Sequence, residues 1–263
     1  MGTMLEAIDK GNCSLEHPVP LLFVHGAWHG AWCWDDHFLD LFAVKGYRAV
    51  AVNLPAHGGR PSDKRLHRHS IADYVDDVTA IANALPSSPV MIGHSMGGIV
   101  VQKYLESRQA PAGVLVASAP PTGALPFLRR WMKQRPARFA LAVVTGKTTH
   151  LLNTPELVRE KMLSAQTPES VVVACTERLQ NESRRTSQGM VTRLPKPDRV
   201  STPMLVLGAE HDGCFTQDEV HATARAYGTE AVIFPDMGHD MMLEPGWQSV
   251  AEHIDTWLVG QGL

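Results

Sequence analysis

Short apolar runs alternate with stretches of helical period along this chain. Val19 to Val24 is an apolar run that ends at His25-Gly26. Tyr47 to Val52, Val90 to Ile92, Gly113 to Ala117, Met204 to Leu207 and Ala231 to Phe234 repeat the pattern. Runs this short, without a polar residue at every second position, predict strands buried on both faces. Between them, Ser70-Ile71-Ala72-Asp73 spells a capping box, and Ile71, Val75, Val78, Ile81 and Leu85 then fall on one helical face. Thr216-x-x-Glu219 opens another helix, with Gly228 as its C-terminal stop. Val250, Ile254, Trp257 and Leu258 mark a last one. Buried strands alternating with helices predict an α/β fold, with a mostly parallel central sheet and helices on both faces.

Residues 121–198 break that rhythm. They hold no clear strand, and Thr154-Pro155-Glu156 and Thr167-Pro168-Glu169 each read as an N-cap followed by proline at the first helical position. Their charge differs too: 13 Lys and Arg against 6 Asp and Glu, in a chain whose remainder is acidic. The predicted organisation is a loose N-terminal extension (1–17), a core from 18–120 and 199–263, and a helical lid inserted at 121–198. Arg129, Arg130, Lys133, Arg135 and Arg138 are candidates for an entrance that favours anionic substrates.

Composition narrows the function classes. The 263 residues carry a formal net charge of −3, which implies no nucleic-acid partner. No apolar run approaches the roughly 18 residues of a membrane span, and MGTMLEAIDKGNCSLEHP lacks the apolar core of a secretory signal. Four scattered cysteines without a CxxC pair predict reduced thiols in a cytoplasmic protein, with no metal site. No cofactor is implied, and homo-oligomerisation stays open.

Gly93-His94-Ser95-Met96-Gly97 fits the nucleophile elbow G-x-S-x-G. It follows the strand at Val90 to Ile92 and precedes an apolar helix from Ile99 to Leu105, the context in which such a turn lifts a serine hydroxyl out of a sheet. A serine needs a base. His239, in the loop after the last strand, lies on the rim where open α/β sheets place ligands. His94 is expected to point into the fold beside the elbow and to border the substrate, and His67 and His69 to be solvated. The base needs a carboxylate to fix its tautomer. Asp212, after the strand at Met204 to Leu207, is the first choice, with Glu210 and Asp236 as competitors. The order Ser95, Asp212, His239 is that of α/β-hydrolases.

Residues 25 to 34 read HGAWHGAWCW, one word twice in tandem. A tetrahedral intermediate needs two fixed N–H donors. Met96 supplies one, and the turn at His25-Gly26-Ala27 the other, assigned to Ala27 with Trp28 as the alternative and as a substrate contact. The second copy then leads into a helix packed by Trp32 and Trp34, as scaffold.

On these motifs the chain resembles the α/β-hydrolase superfamily from about residue 18 to 260. HGAWHGAWCW and HDMMLEPGW are similar to the branch containing plant methylesterases, hydroxynitrile lyases and bacterial carboxylesterases. The resemblance implies up to eight strands with a lid after the sixth, and hydrolysis of small or medium carboxylic esters by a Ser-His-Asp triad through an acyl-enzyme. It also leaves open a C–C bond hydrolase or lactonase using the same triad, or a ligand receptor on a hydrolase scaffold. The lyases are expected to carry Thr at position 26 and Lys at 240; this chain has Gly26 and Asp240. Dehalogenases and epoxide hydrolases use an aspartate nucleophile, which Ser95 argues against.

Overall fold

The computed structural model describes residues 7–62 and 64–263. Seven strands form one sheet: β1 (Ala7–Lys10), β2 (Leu21–Val24), β3 (Ala49–Val52), β4 (Val90–His94), β5 (Gly113–Val116), β6 (Met204–Ala209) and β7 (Ala231–Phe234). Their order is β1-β3-β2-β4-β5-β6-β7, with every pair parallel except β1 against β3. All residues of β2 to β6 are buried, which requires cover on both faces. That cover explains why these strands read as unbroken apolar runs. The described residues hold seven strands, not the eight that the resemblance allows.

The helices before the insertion are α1 (Trp32–Asp35), α2 (Phe38–Val44), α3 (Ile71–Ala84) and α4 (Met96–Leu105). Both capping boxes form: Ser70 with Asp73 opens α3, and Thr216 with Glu219 opens a later helix. Trp34 is buried against Phe23 and Phe38, while Trp32 lies under the Arg178 guanidinium at 3.9 Å.

Residues 1–17 were expected from their polar composition to be loose, and they are not loose throughout. The first six lie outside the described residues, but Ala7–Lys10 forms the antiparallel edge strand β1. Its sequence AIDK hid it, because an edge strand exposes one face and carries charge there. Asp9 pairs with Arg48, and Lys10 with Asp35 and Asp40.

Five helices separate β5 from β6: α5 (Leu125–Gln134), α6 (Pro136–Thr145), α7 (Pro155–Met162), α8 (Glu169–Arg178) and α9 (Arg184–Thr192). Thr154 and Pro155 take the N-cap and first position of α7, whereas Pro168 itself is the N-cap of α8. The chain ends with α10 (Gln217–Ala226) and α11 (Trp247–Gly260), and Gly228, at φ +67°, follows α10 in the left-handed region. No helix among the described residues is long and apolar enough to cross a membrane. The four cysteines are free.

In the sheet order, β2 has β3 on one side and β4 on the other. The chain's direction of winding reverses there, and the crevice at such a switch point, beyond the carboxyl ends of the strands, is where α/β sheets hold ligands. His25, Ser95, Asp212 and His239 all follow strand ends on that rim.

Candidate active site

Ser95 sits between β4 and α4 with φ 51° and ψ −117°. A side chain pays strain at positive φ, and such strain persists only where surrounding structure holds it. Here the serine carbonyl accepts from Gly98 and Ala119, and its N–H donates to Val116. Gly97 is required because a Cβ there would run into the Val24 carbonyl. On the other side the turn after β2 closes over the serine. A Cβ on Gly26 would stand 2.7 Å from His94 Nδ1 and 3.0 Å from Ser95 Cβ.

The histidine loop meets the loop after β6. His239 Nδ1–H donates to Asp212 Oδ2 at 2.9 Å, and both side chains are 1% exposed. The other carboxylate oxygen accepts from the backbone N–H groups of Cys214 (2.7 Å) and Phe215 (3.0 Å). Burial disfavours the charged imidazole, but the Asp212 carboxylate outweighs it and holds the His239 pKa well above its ordinary value. The competitors are elsewhere: Glu210 is exposed and accepts from the Asp236 N–H, and Asp236 is exposed beside His211.

Ser95 and His239 are neighbours through His94, whose ring lies 4.7 Å from that of His239 and whose Nε2 meets the His239 carbonyl at 3.1 Å. Among the described residues no hydrogen bond joins Ser95 Oγ to His239. His94 points into the fold. Its ring is fully buried beneath the elbow, and burial drives its pKa well below the usual value. His69 is likewise buried rather than solvated, bonded to Ser62 Oγ at 2.8 Å.

The first HGAW copy makes the turn over Ser95. Leu54 N–H donates to His25 Nε2, so His25 carries its proton on Nδ1 and donates it to the Gly26 carbonyl at 2.8 Å. That bond polarises the peptide whose N–H belongs to Ala27. Among the described residues, neither the Ala27 nor the Met96 N–H is taken by a backbone acceptor. Trp28 occupies φ +67°, and the insertion holds it: Gln180 N–H donates to the Trp28 carbonyl at 2.8 Å, and the indole N–H to Thr148 Oγ1 at 3.1 Å.

A cavity of about 350 Å³ opens from Ala27 and Trp28 into the insertion, walled by Phe127, Trp131, Phe139 and Leu151. Its size suits a small ligand. Of the basic residues predicted at the entrance, none lines this cavity. Arg130 pairs with Glu219, Arg135 with Glu160, and Arg138 with Asn153. The cation at the cavity is Arg184. Four residues of this region were given no part in the site by the sequence. Cys214 packs its thiol by the Asp212–His239 pair, and Glu244 bonds the histidine loop to the insertion. His29, beneath the turn, bonds Asp240. Glu244 and Asp240 were legible only as acids in an apolar stretch, DMMLE, after the histidine.

A family model described as "Alpha/beta hydrolase family" matches residues 21–252. A norfluorocurarine synthase 2 from Strychnos sp is 33% identical over 123 residues, 44% of this chain and 45% of that protein. A probable esterase from Oryza sativa subsp. japonica is 30% identical over 167 residues, 58% of this chain and 63% of the relative. The chain thus aligns with about half to two thirds of the length of these relatives. Among solved structures, a thermophilic esterase from Thermogutta terrifontis superposes with a TM-score of 0.77 at 19% identity, covering 98% of this chain and 94% of that one.

Proposed function

Because this chain belongs to the alpha/beta hydrolase family, we propose that it is a serine hydrolase that cleaves small or medium carboxylic esters through an acyl-enzyme. The observation that carries the reading is the buried 2.9 Å bond from His239 to Asp212, set behind a serine held at positive φ. Ser95 Oγ attacks the ester carbonyl carbon while His239 Nε2 takes its proton. The Ala27 and Met96 N–H groups receive the developing oxyanion, aided by the positive end of α4. The protonated His239 then gives its proton to the leaving alcohol. Water then attacks the acyl carbon as His239 takes its proton, and His239 returns that proton to Ser95 Oγ as the bond to the acid breaks. Asp212 holds the proton of His239 on Nδ1, so that Nε2 is free to act.

The apolar cavity beside Trp28 supports an apolar acyl or alcohol group of modest length. The test is a series of p-nitrophenyl esters of graded chain length, run with wild type and Ser95→Ala, alongside a fluorophosphonate probe. Wild type should release a burst and be labelled at Ser95, and the variant should do neither while keeping its unfolding temperature. Turnover retained by purified Ser95→Ala, or labelling at another residue, overturns the reading.

A further inference from the structure

His29, from the second HGAW copy, is more than scaffold. Its ring is buried, with Nδ1 2.8 Å from the Ala27 carbonyl and Nε2 3.0 Å from Asp240 Oδ2. Both contacts face acceptors, so the ring bridges the turn and a carboxylate. Asp240 is 0% exposed. Burial raises its pKa, but the His29 ring pulls it below the ordinary carboxylate value. Its N–H donates to the Met162 carbonyl at 2.7 Å, and its other oxygen faces His94 Nε2 at 3.6 Å. The Cys175 thiol approaches Oδ2 at 3.8 Å.

Asp240 directly follows His239 in the chain, and His94 directly precedes Ser95. The turn after β2, the elbow and the histidine loop therefore converge on one buried carboxylate, distinct from Asp212. A carboxylate removed from water is retained only where partners compensate its desolvation. Here the partners are the elements that must stay in register for acyl transfer. The turn also contains Trp28 at positive φ, a conformation that surrounding bonds must impose. The His29 bond fixes the Ala27–Trp28 peptide plane from below, as Gln180 fixes the Trp28 carbonyl from the insertion.

We propose that His29 and Asp240 are positioning residues, a buried imidazole–carboxylate pair that locks the oxyanion turn to the loop of the catalytic base. The inference rests on the esterase reading of the site. The two tandem words then share one task at two levels: the first supplies the donor, and the second holds it against His239.

The test uses His29→Gln, Asp240→Ala and Asp240→Asn in the full chain. His29→Gln can still reach Asp240 but gives up the bond to the Ala27 carbonyl. Misplacing an oxyanion donor by about 1 Å costs on the order of 10²-fold in rate. His29→Gln and Asp240→Ala should therefore lower kcat by about 10- to 100-fold per titrated active site, with KM little changed. Affinity for a trifluoromethyl ketone, which forms a tetrahedral adduct, should fall by the same factor. Asp240→Asn, which keeps an acceptor for His29, should recover most of the loss.

A purely structural role would lower the number of titratable sites and the unfolding temperature, and leave kcat per site intact. That result overturns the proposal, as does Asp240→Asn behaving like Asp240→Ala. Amide exchange reads the coupling without turnover. His29→Gln should speed exchange across residues 238–241, and Asp240→Ala across residues 26–29. Exchange confined to the mutated loop also defeats the proposal. Retained activity in Ser95→Ala instead defeats the esterase reading, and the exchange result still decides the coupling.

Discussion

Replacing Asp212 by asparagine should invert the protonation of the base. Asp212 Oδ1 accepts two backbone N–H bonds, from Cys214 at 2.7 Å and Phe215 at 3.0 Å. Those donors are fixed in the loop and demand an oxygen. In Asp212→Asn the amide oxygen must stay there, which turns the NH2 toward His239. An N–H donor now faces His239 Nδ1, so that nitrogen must be the acceptor and the ring proton moves to Nε2. Nε2 is the atom that must take the Ser95 proton, and it is then occupied. The expected loss in kcat is on the order of 10⁴-fold, or about 5.4 kcal/mol of barrier at 1.36 kcal/mol per decade. The fold should survive, because the substitution keeps every backbone bond. Steady-state kinetics on a p-nitrophenyl ester, with thermal unfolding as control, measures both. A loss below tenfold would refute the tautomer argument. A severe loss in Glu210→Gln or Asp236→Asn with a mild one here would move the acid elsewhere.

Four further outcomes follow from the same geometry. The carboxylate that holds the His239 pKa up predicts that kcat/KM falls as pH drops through a midpoint above the ordinary imidazole value of about 6.5. Removing that carboxylate destabilises the imidazolium, so the residual activity of Asp212→Asn should fall at lower pH; an unmoved acid limb contradicts the assignment. Gly26→Ala places a methyl against His94 and Ser95, and should cost about 1–3 kcal/mol in denaturant unfolding together with most of the activity. Glu244 accepts from Gly238, Ser164 and Thr167, so Glu244→Ala strands buried donors at about 1–3 kcal/mol each, and Glu244→Gln should be milder by the same measurement. Arg184 is the cation at the apolar cavity, so Arg184→Ala should remove the salt dependence of kcat/KM for a carboxylate-bearing ester. The pair Arg129→Ala and Arg130→Ala should leave it, and the reverse pattern would return the entrance to α5.

The strands were legible because a parallel sheet covered on both faces must be written in apolar runs. The elbow was legible because a strained strand-to-helix turn leaves glycine no substitute, as at Gly97. β1 was not legible, since a charged edge strand has the composition of a loop. The basic entrance misled for a similar reason. Charge along α5 shows which residues are cations, but only the fold shows that Arg130 is already engaged by Glu219 and the Cys214 carbonyl.

The hidden part of the site has a common character. Asp212 could be proposed because a triad has an expected order along the chain, so a strand end and an acid suffice to choose it, and its bond to His239 supports that choice. Asp240 has no such order. It is defined by which rings surround it, and those rings come from the turn after β2 (His29) and from the elbow (His94). The same holds for Glu244, whose partners lie about 80 residues away in the insertion. Both acids follow His239 within five residues, in a stretch whose other members, Met241, Met242 and Leu243, are buried and apolar. An acid buried in such a stretch must find partners across the fold or pay its full desolvation. Charged residues in the apolar segment after a catalytic histidine are therefore where sequence reading can look for the contacts that hold separate catalytic loops in register.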